Sequence, residues 1–130
     1  MNSMLRTMQN GSFEYRKVGV QTGVENASPH KLIQMLLDGA VEKVQLARGY
    51  AERQEIAKKG ETVAWAMAII DGLRSSLDMS RGGEVAANLD ALYDYMLRRL
   101  TEANLANDVA MLDEVAKLLS EIRDGWNGIG

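Results

Sequence analysis

The sequence predicts an all-α fold, an antiparallel up-down four-helix bundle preceded by an N-terminal arm. Three observations carry this expectation. Apolar residues recur every three or four positions through four separate stretches, the spacing of one helix face. The one proline, Pro29, lies early, so the rest of the chain lacks the residue that breaks helices. The polar strings between the four stretches are short, and short links make consecutive helices antiparallel neighbours. No segment carries the strict alternation of a half-buried strand.

Each element follows from its own residues. Residues 1–27 form an arm in which Gly11, Gly19 and Gly23 interrupt any long helix, leaving room for one short extra turn. The bundle occupies residues 28–130. Its first helix, about 28–53, opens on Ser28-Pro29, a strong cap followed by a residue preorganised for the first helical position. Gln54 to Gly60 is polar and ends in glycine, so it reads as a loop. The second helix, about 61–79, carries Val63, Met67, Ile70, Leu73 and Leu77. Ser80-Arg81-Gly82-Gly83 is the clearest turn in the chain. The third helix, about 84–104, carries Val85, Leu89, Leu92, Met96, Leu100 and Ala103. The fourth, about 108–126, carries Val109, Leu112, Val115, Leu119, Ile122 and Trp126.

Composition removes several function classes. With 130 residues the chain is one domain's length and 46% hydrophobic, enough for a core without staples. It has no cysteine, which excludes disulfides and thiol chemistry. A net charge of −3, with basic residues no denser than the pairs Lys58-Lys59 and Arg98-Arg99, argues against nucleic-acid binding. Neither a signal-peptide core nor an apolar run of roughly 18 residues is present, so the chain reads as cytoplasmic, without membrane insertion. The single histidine, His30, cannot supply a di-iron or ordinary zinc site and reads as an exposed polar residue. Asp90 and Asp94, one turn apart, read as a solvated face rather than a metal site, as do Asp113 and Glu114. No catalytic, cofactor or metal residue is expected, and the chain reads as a non-enzyme.

What remains is surface for a partner. A bundle helix needs an apolar arc of about 100°. The first helix presents roughly 180°, with Leu37 and Val41 at its far edge. Leu118, Ile69, Tyr93 and Leu97 lie off the centres of their stripes. Such shoulders either thicken the core or form a groove for a partner helix. Phe13, Tyr15, Val18 and Val20 give the arm apolar residues that suit either the core's edge or that groove.

Specific strings then add a resemblance. The arm reads Tyr15-Arg16-Lys17-Val18-Gly19-Val20, followed by Asn26-Ala27-Ser28-Pro29. The first helix holds Lys31-Leu32-Ile33 and Met35-Leu36-Leu37-Asp38-Gly39-Ala40. Ser76-Leu77-Asp78 precedes the glycine pair. The longest run is Ala91-Leu92-Tyr93-Asp94-Tyr95-Met96-Leu97-Arg98-Arg99-Leu100, continued by Glu102-Ala103-Asn104 and Asn107-Asp108-Val109, with Trp126 near the close. This pattern resembles the flagellar secretion chaperone FliS family from about Tyr15 to Trp126. Residues 1–14 match nothing in it, and the glycine-rich end replaces a more charged tail.

The resemblance implies an export chaperone that binds the C-terminal helical region of flagellin, one to one, with the bound chain wrapped around the bundle. It implies that the chaperone stops flagellin polymerising in the cytoplasm and presents it to the flagellar type III export apparatus, with export-gate components or other flagellar regulators as further partners. On that reading Tyr15 and Val20 cover or contact the groove. Leu37, Ile69, Tyr93 and Leu97 form its walls, and Asp94 and Arg98 its polar rim. Leu32, Leu36, Val85, Leu89, Met96, Leu112, Leu119 and Trp126 fall to the core. The free chain is expected to be a monomer or weak dimer. The alternatives are a self-associating structural bundle, an adaptor for another flagellar protein, or a carboxylate-metal enzyme.

Overall fold

The computed structural model describes residues 27–129. Residues 1–26 of the arm, with the expected short extra turn, Tyr15 and Val20, lie outside the described residues. Among those described, the chain is four helices with no strand: α1 Pro29–Glu52, α2 Ile56–Ser75, α3 Gly83–Ala106 and α4 Val109–Asn127. The links are short, so direction alternates. α1 packs most extensively on α2, then on α4; α3 completes the ring by packing on α2 and α4.

Local chemistry sets most boundaries. The Ser28 hydroxyl accepts from the Lys31 amide at 3.1 Å, filling one orphan donor at the start of α1. Asp108 does the same for α4, accepting from the Met111 amide at 3.1 Å. α3 ends where Asn107 turns left-handed at φ 51°, a conformation asparagine tolerates better than most residues.

α2 departs from expectation at both ends. It begins at Ile56, five residues before the expected start, so Gln54 to Gly60 is not a loop. The reason is Lys59, a lysine only 2% exposed. Its ammonium donates to the Asn104 carbonyl at 2.9 Å and to Asn107 Oδ1 at 3.0 Å. Asn107 Nδ2 donates in turn to the Ala51 carbonyl at 3.1 Å. These contacts join the end of α1, the start of α2 and the end of α3, and they give a buried cation the oxygens it requires. The cation also faces the negative end of the α3 dipole.

α2 stops at Ser75 rather than near residue 79. Ser76 Oγ bonds back to the Leu73 carbonyl at 2.6 Å. Asp78 Oδ1 collects the Ser80 amide, the Ser80 hydroxyl and the Arg81 amide. A short side chain that satisfies nearby backbone donors competes with the helix and ends it.

The core runs along the bundle axis, with Val44, Ile70, Met96, Leu100, Leu112 and Leu119 fully buried. Leu37 and Val41, at the edge of the expected arc, are buried as well. Leu36 lies in the core as expected, whereas Leu32, Leu89 and Trp126 are only partly buried. Val85 is not core: it is 69% exposed. The buried stripe of α3 starts instead at Ala86, and Val85 lines an open cavity rather than a helix–helix contact.

Candidate partner-binding groove

The groove lies where α1 begins, α2 ends, α3 begins and α4 ends. It is an open apolar cavity of about 370 Å³. α1 contributes Ile33 and Leu37, α3 contributes Val85, Leu89 and Tyr93, and α4 contributes Ile122 and Trp126. The early stop of α2 creates the space. Residues 76–82 cross this end as an irregular link, so the first turns of α3 face a gap rather than a helix.

Two local features shape the walls. A Cβ on Gly82 would stand 2.5 Å from Ala86 Cβ and 2.9 Å from the Asp78 carbonyl oxygen, so the tight passage of the link into α3 requires glycine. On the opposite wall, Trp126 Nε1 donates to the His30 carbonyl at 2.9 Å. The two rings stack with centroids 4.6 Å apart and planes 12° apart. This pair ties the last turns of α4 to the first turn of α1.

The floor is electrically quiet. Burial pushes the Tyr93 phenol up to about 12, so it stays neutral at any ordinary pH. Charge gathers on the neighbouring faces instead. Arg74 donates to Asp90 at 2.7 Å and to Asp94 at 3.2 Å, and Arg98 donates to Asp94 at 3.1 Å. The Arg74 hydrogen bond holds the Asp90 carboxyl below its usual range. The Tyr95 hydroxyl and then Arg99 do the same for Glu114, joining α3 to α4. Arg48 pairs with Asp113 across α1 and α4.

The structure brings together only some of the expected site residues. Leu37 and Tyr93 lie in the cavity floor, although Tyr93 is only 3% exposed. Ile69 is 7% exposed in the core and does not line the groove. Leu97 is half-buried against the core. Asp94 pairs with both Arg98 and Arg74 on the α2–α3 face, away from the lining. Tyr15 and Val20 lie outside the described residues. Sequence reasoning missed Val85, Leu89 and Trp126 as lining, having assigned them to the core. The signal lay in the Ser80-Arg81-Gly82-Gly83 turn, which leaves the first turns of α3 without a helical neighbour at that end.

Among the described residues, no group of three or more His, Asp or Glu side chains is placed to hold a metal ion. No helix among them is long and apolar enough to cross a membrane.

An apolar cavity at one end of a helical bundle offers a place for apolar side chains, such as those of an amphipathic helix. Comparison with known proteins bears on the family. Residues 8–130 match the family model described as flagellar protein FliS. The chain is 50% identical over 116 residues to the flagellar secretion chaperone FliSB of Pseudomonas aeruginosa, covering 89% of this chain and 92% of that protein. It is 48% identical over 116 residues to the flagellar secretion chaperone FliS of Salmonella typhimurium, covering 88% and 86%. Against FliS of Bacillus subtilis the identity is 38% over 106 residues, covering 82% and 78%. The family match spans all four helices, and on that basis the chain belongs to the FliS family.

Proposed function

We propose that this chain is an export chaperone without catalytic activity. It binds the C-terminal helical region of flagellin one to one in the cytoplasm, blocks premature polymerisation and helps present its cargo to the flagellar type III export apparatus. The observation that carries this reading is the groove, with Val85 exposed and Leu89, Ile122 and Trp126 beside it. An amphipathic partner helix fills such a space with side chains at its i, i+3 and i+4 positions.

The energetics fit a long cargo segment. Ordering a disordered chain end on binding costs about 2–5 kcal/mol. A tight complex therefore needs an interface above roughly 2,000 Å². A cavity at one end covers only part of that area, so the cargo extends over further faces of the bundle. Asp94, Arg98 and Leu97 on the neighbouring α3 surface are the contacts proposed there. Tyr15 and Val20 on the arm are proposed to cover or contact the groove. Export-gate components and other flagellar regulators are proposed as further partners.

The test is polymerisation. Monomeric flagellin is seeded and followed by light scattering with increasing amounts of the chain. Growth should stop near one chaperone per flagellin, with a co-eluting one-to-one complex. Undiminished growth at excess chaperone contradicts the proposal. A second reading, self-association, draws on Trp65, which is 58% exposed on α2 with Lys43 Nζ 3.8 Å over its ring. Light scattering of the free chain separates the two: a stable dimer indifferent to flagellin supports the second.

A further inference from the structure

We propose that the bundle opens at one end only, with the Lys59–Asn107–Ala51 cluster as its hinge and the His30–Trp126 pair as its latch. The proposal rests on the reading of the groove as a cargo site only for what the opening serves; the motion itself concerns the free chain.

The hinge is the more strongly tied of the two. Lys59 and Asn107 make three hydrogen bonds that engage α1, α2 and α3 at once. The bonds are partly sheltered from water, and breaking the cluster strands the buried Lys59 ammonium. Around it the buried side chains are small, Ala47, Ala51 and Ala103, and small side chains let helices meet closely. The link from α3 to α4 is only Asn107 and Asp108, which keeps α4 tied to this end.

The latch end is built differently. The polar ties between α1 and α4 there are the Trp126–His30 hydrogen bond, the ring stack and a long Asp38–Arg123 ion pair at 3.8 Å, all beside a cavity. Ile122 and Trp126 face that cavity rather than a full set of neighbours. Beyond Trp126 come Gly128 and no further packed turn among the described residues. Local opening draws on regions with few buried contacts and exposed hydrogen bonds. Swinging the last turns of α4 away from α1 breaks the latch, widens the groove and leaves the hinge intact.

Hydrogen exchange of the free full-length chain, resolved by residue, tests this without any partner. In the wild type, amides at 33–37 and 120–127 should exchange at least roughly tenfold faster than those at 47–51, 63–66 and 100–103. Trp126→Phe keeps the ring stack but removes the donor to the His30 carbonyl. It should speed exchange at 33–37 and 120–127 by roughly threefold or more and leave the hinge residues unchanged. Asn107→Gly keeps the left-handed turn but removes both side-chain bonds, so it should speed exchange at 47–51 and 100–103 by at least roughly tenfold. Should Asn107→Gly fail to fold, Lys59→Met replaces it with the same expectation. Equal protection at both ends, or variants that lower protection evenly along all four helices, would overturn the hinge. Loss of flagellin binding with the exchange pattern intact would instead count against the cargo reading alone.

Discussion

At one end of this bundle a lysine ammonium is buried, and at the other a valine stands in water. Both arrangements run against the ordinary sorting of side chains, and each is explained by what faces it. Lys59 is inside because the end of α3 presents two oxygens that need a donor, the Asn104 carbonyl and Asn107 Oδ1. Val85 is outside because α2 has already stopped and only an irregular link crosses in front of it. The first end is complete without any other molecule. The second, among the described residues, is an open apolar cavity that further apolar side chains could fill. Side-chain polarity alone therefore does not report burial at a helix terminus; the neighbour's length decides it.

The sharpest way to break this contrast is to exchange losses between the ends. Lys59→Ala leaves the Asn104 carbonyl and the Asn107 side chain without their donor and removes the packed stem. It should cost about 3 kcal/mol and lower the melting temperature by about 10 °C. Val85→Ser, at the other end, should change stability by less than about 0.5 kcal/mol. Thermal melts of both variants check the pair. Equal losses would mean that Val85 packs on something in solution.

Next in size is an alkaline loss that reports on the groove floor. The folded chain holds the Tyr93 proton more tightly than the unfolded chain does, with the phenol pushed up to about 12 by burial. Its contribution is intact below the ordinary tyrosine range and disappears as pH climbs from about 10 to 12. The loss should reach about 2–3 kcal/mol. Denaturant melts across that range should show the fall, and Tyr93→Phe should flatten most of it. The same fall in Tyr93→Phe would place the titrating group elsewhere.

The smallest effect lies between the ends. Glu114 is held below its usual range by the Tyr95 hydroxyl and by Arg99, so its contribution is present at neutral pH and is lost as pH falls through the carboxylate range. The pair is partly exposed, so the effect is small. Glu114→Gln should melt less steeply with acid than the wild type, and an unchanged acid profile would remove Glu114 from the account.

Much of the fold was legible because it depends on local pattern. Ser28-Pro29 and Asn107-Asp108 mark helix starts through side chains within three residues of the groups they cap. The periodicity of α1, α3 and α4 gives their lengths to within a few residues. The start of α2 was not legible, because Lys59 belongs to a helix interior only once Asn107, 48 positions away, supplies its oxygen. The groove was half legible for a similar reason. Leu37 and Tyr93 were marked as shoulders and do lie in its floor, but Ile69 sits in the same kind of position and is covered. Val85 repeats at core spacing, and no periodicity tells whether the facing helix reaches far enough to cover it.

The central claim is that the open end takes up the cargo. Its most direct test is calorimetric titration of the full chain with a flagellin C-terminal segment at several temperatures, repeated with Val85→Glu. The account expects a one-to-one complex with a large negative heat-capacity change for the wild type. For Val85→Glu it expects at least roughly tenfold weaker binding at an unchanged melting temperature, because the charge must be buried only in the complex. Equal affinities for the two chains would place the cargo elsewhere on the bundle, and no binding by the wild type would contradict the chaperone reading itself.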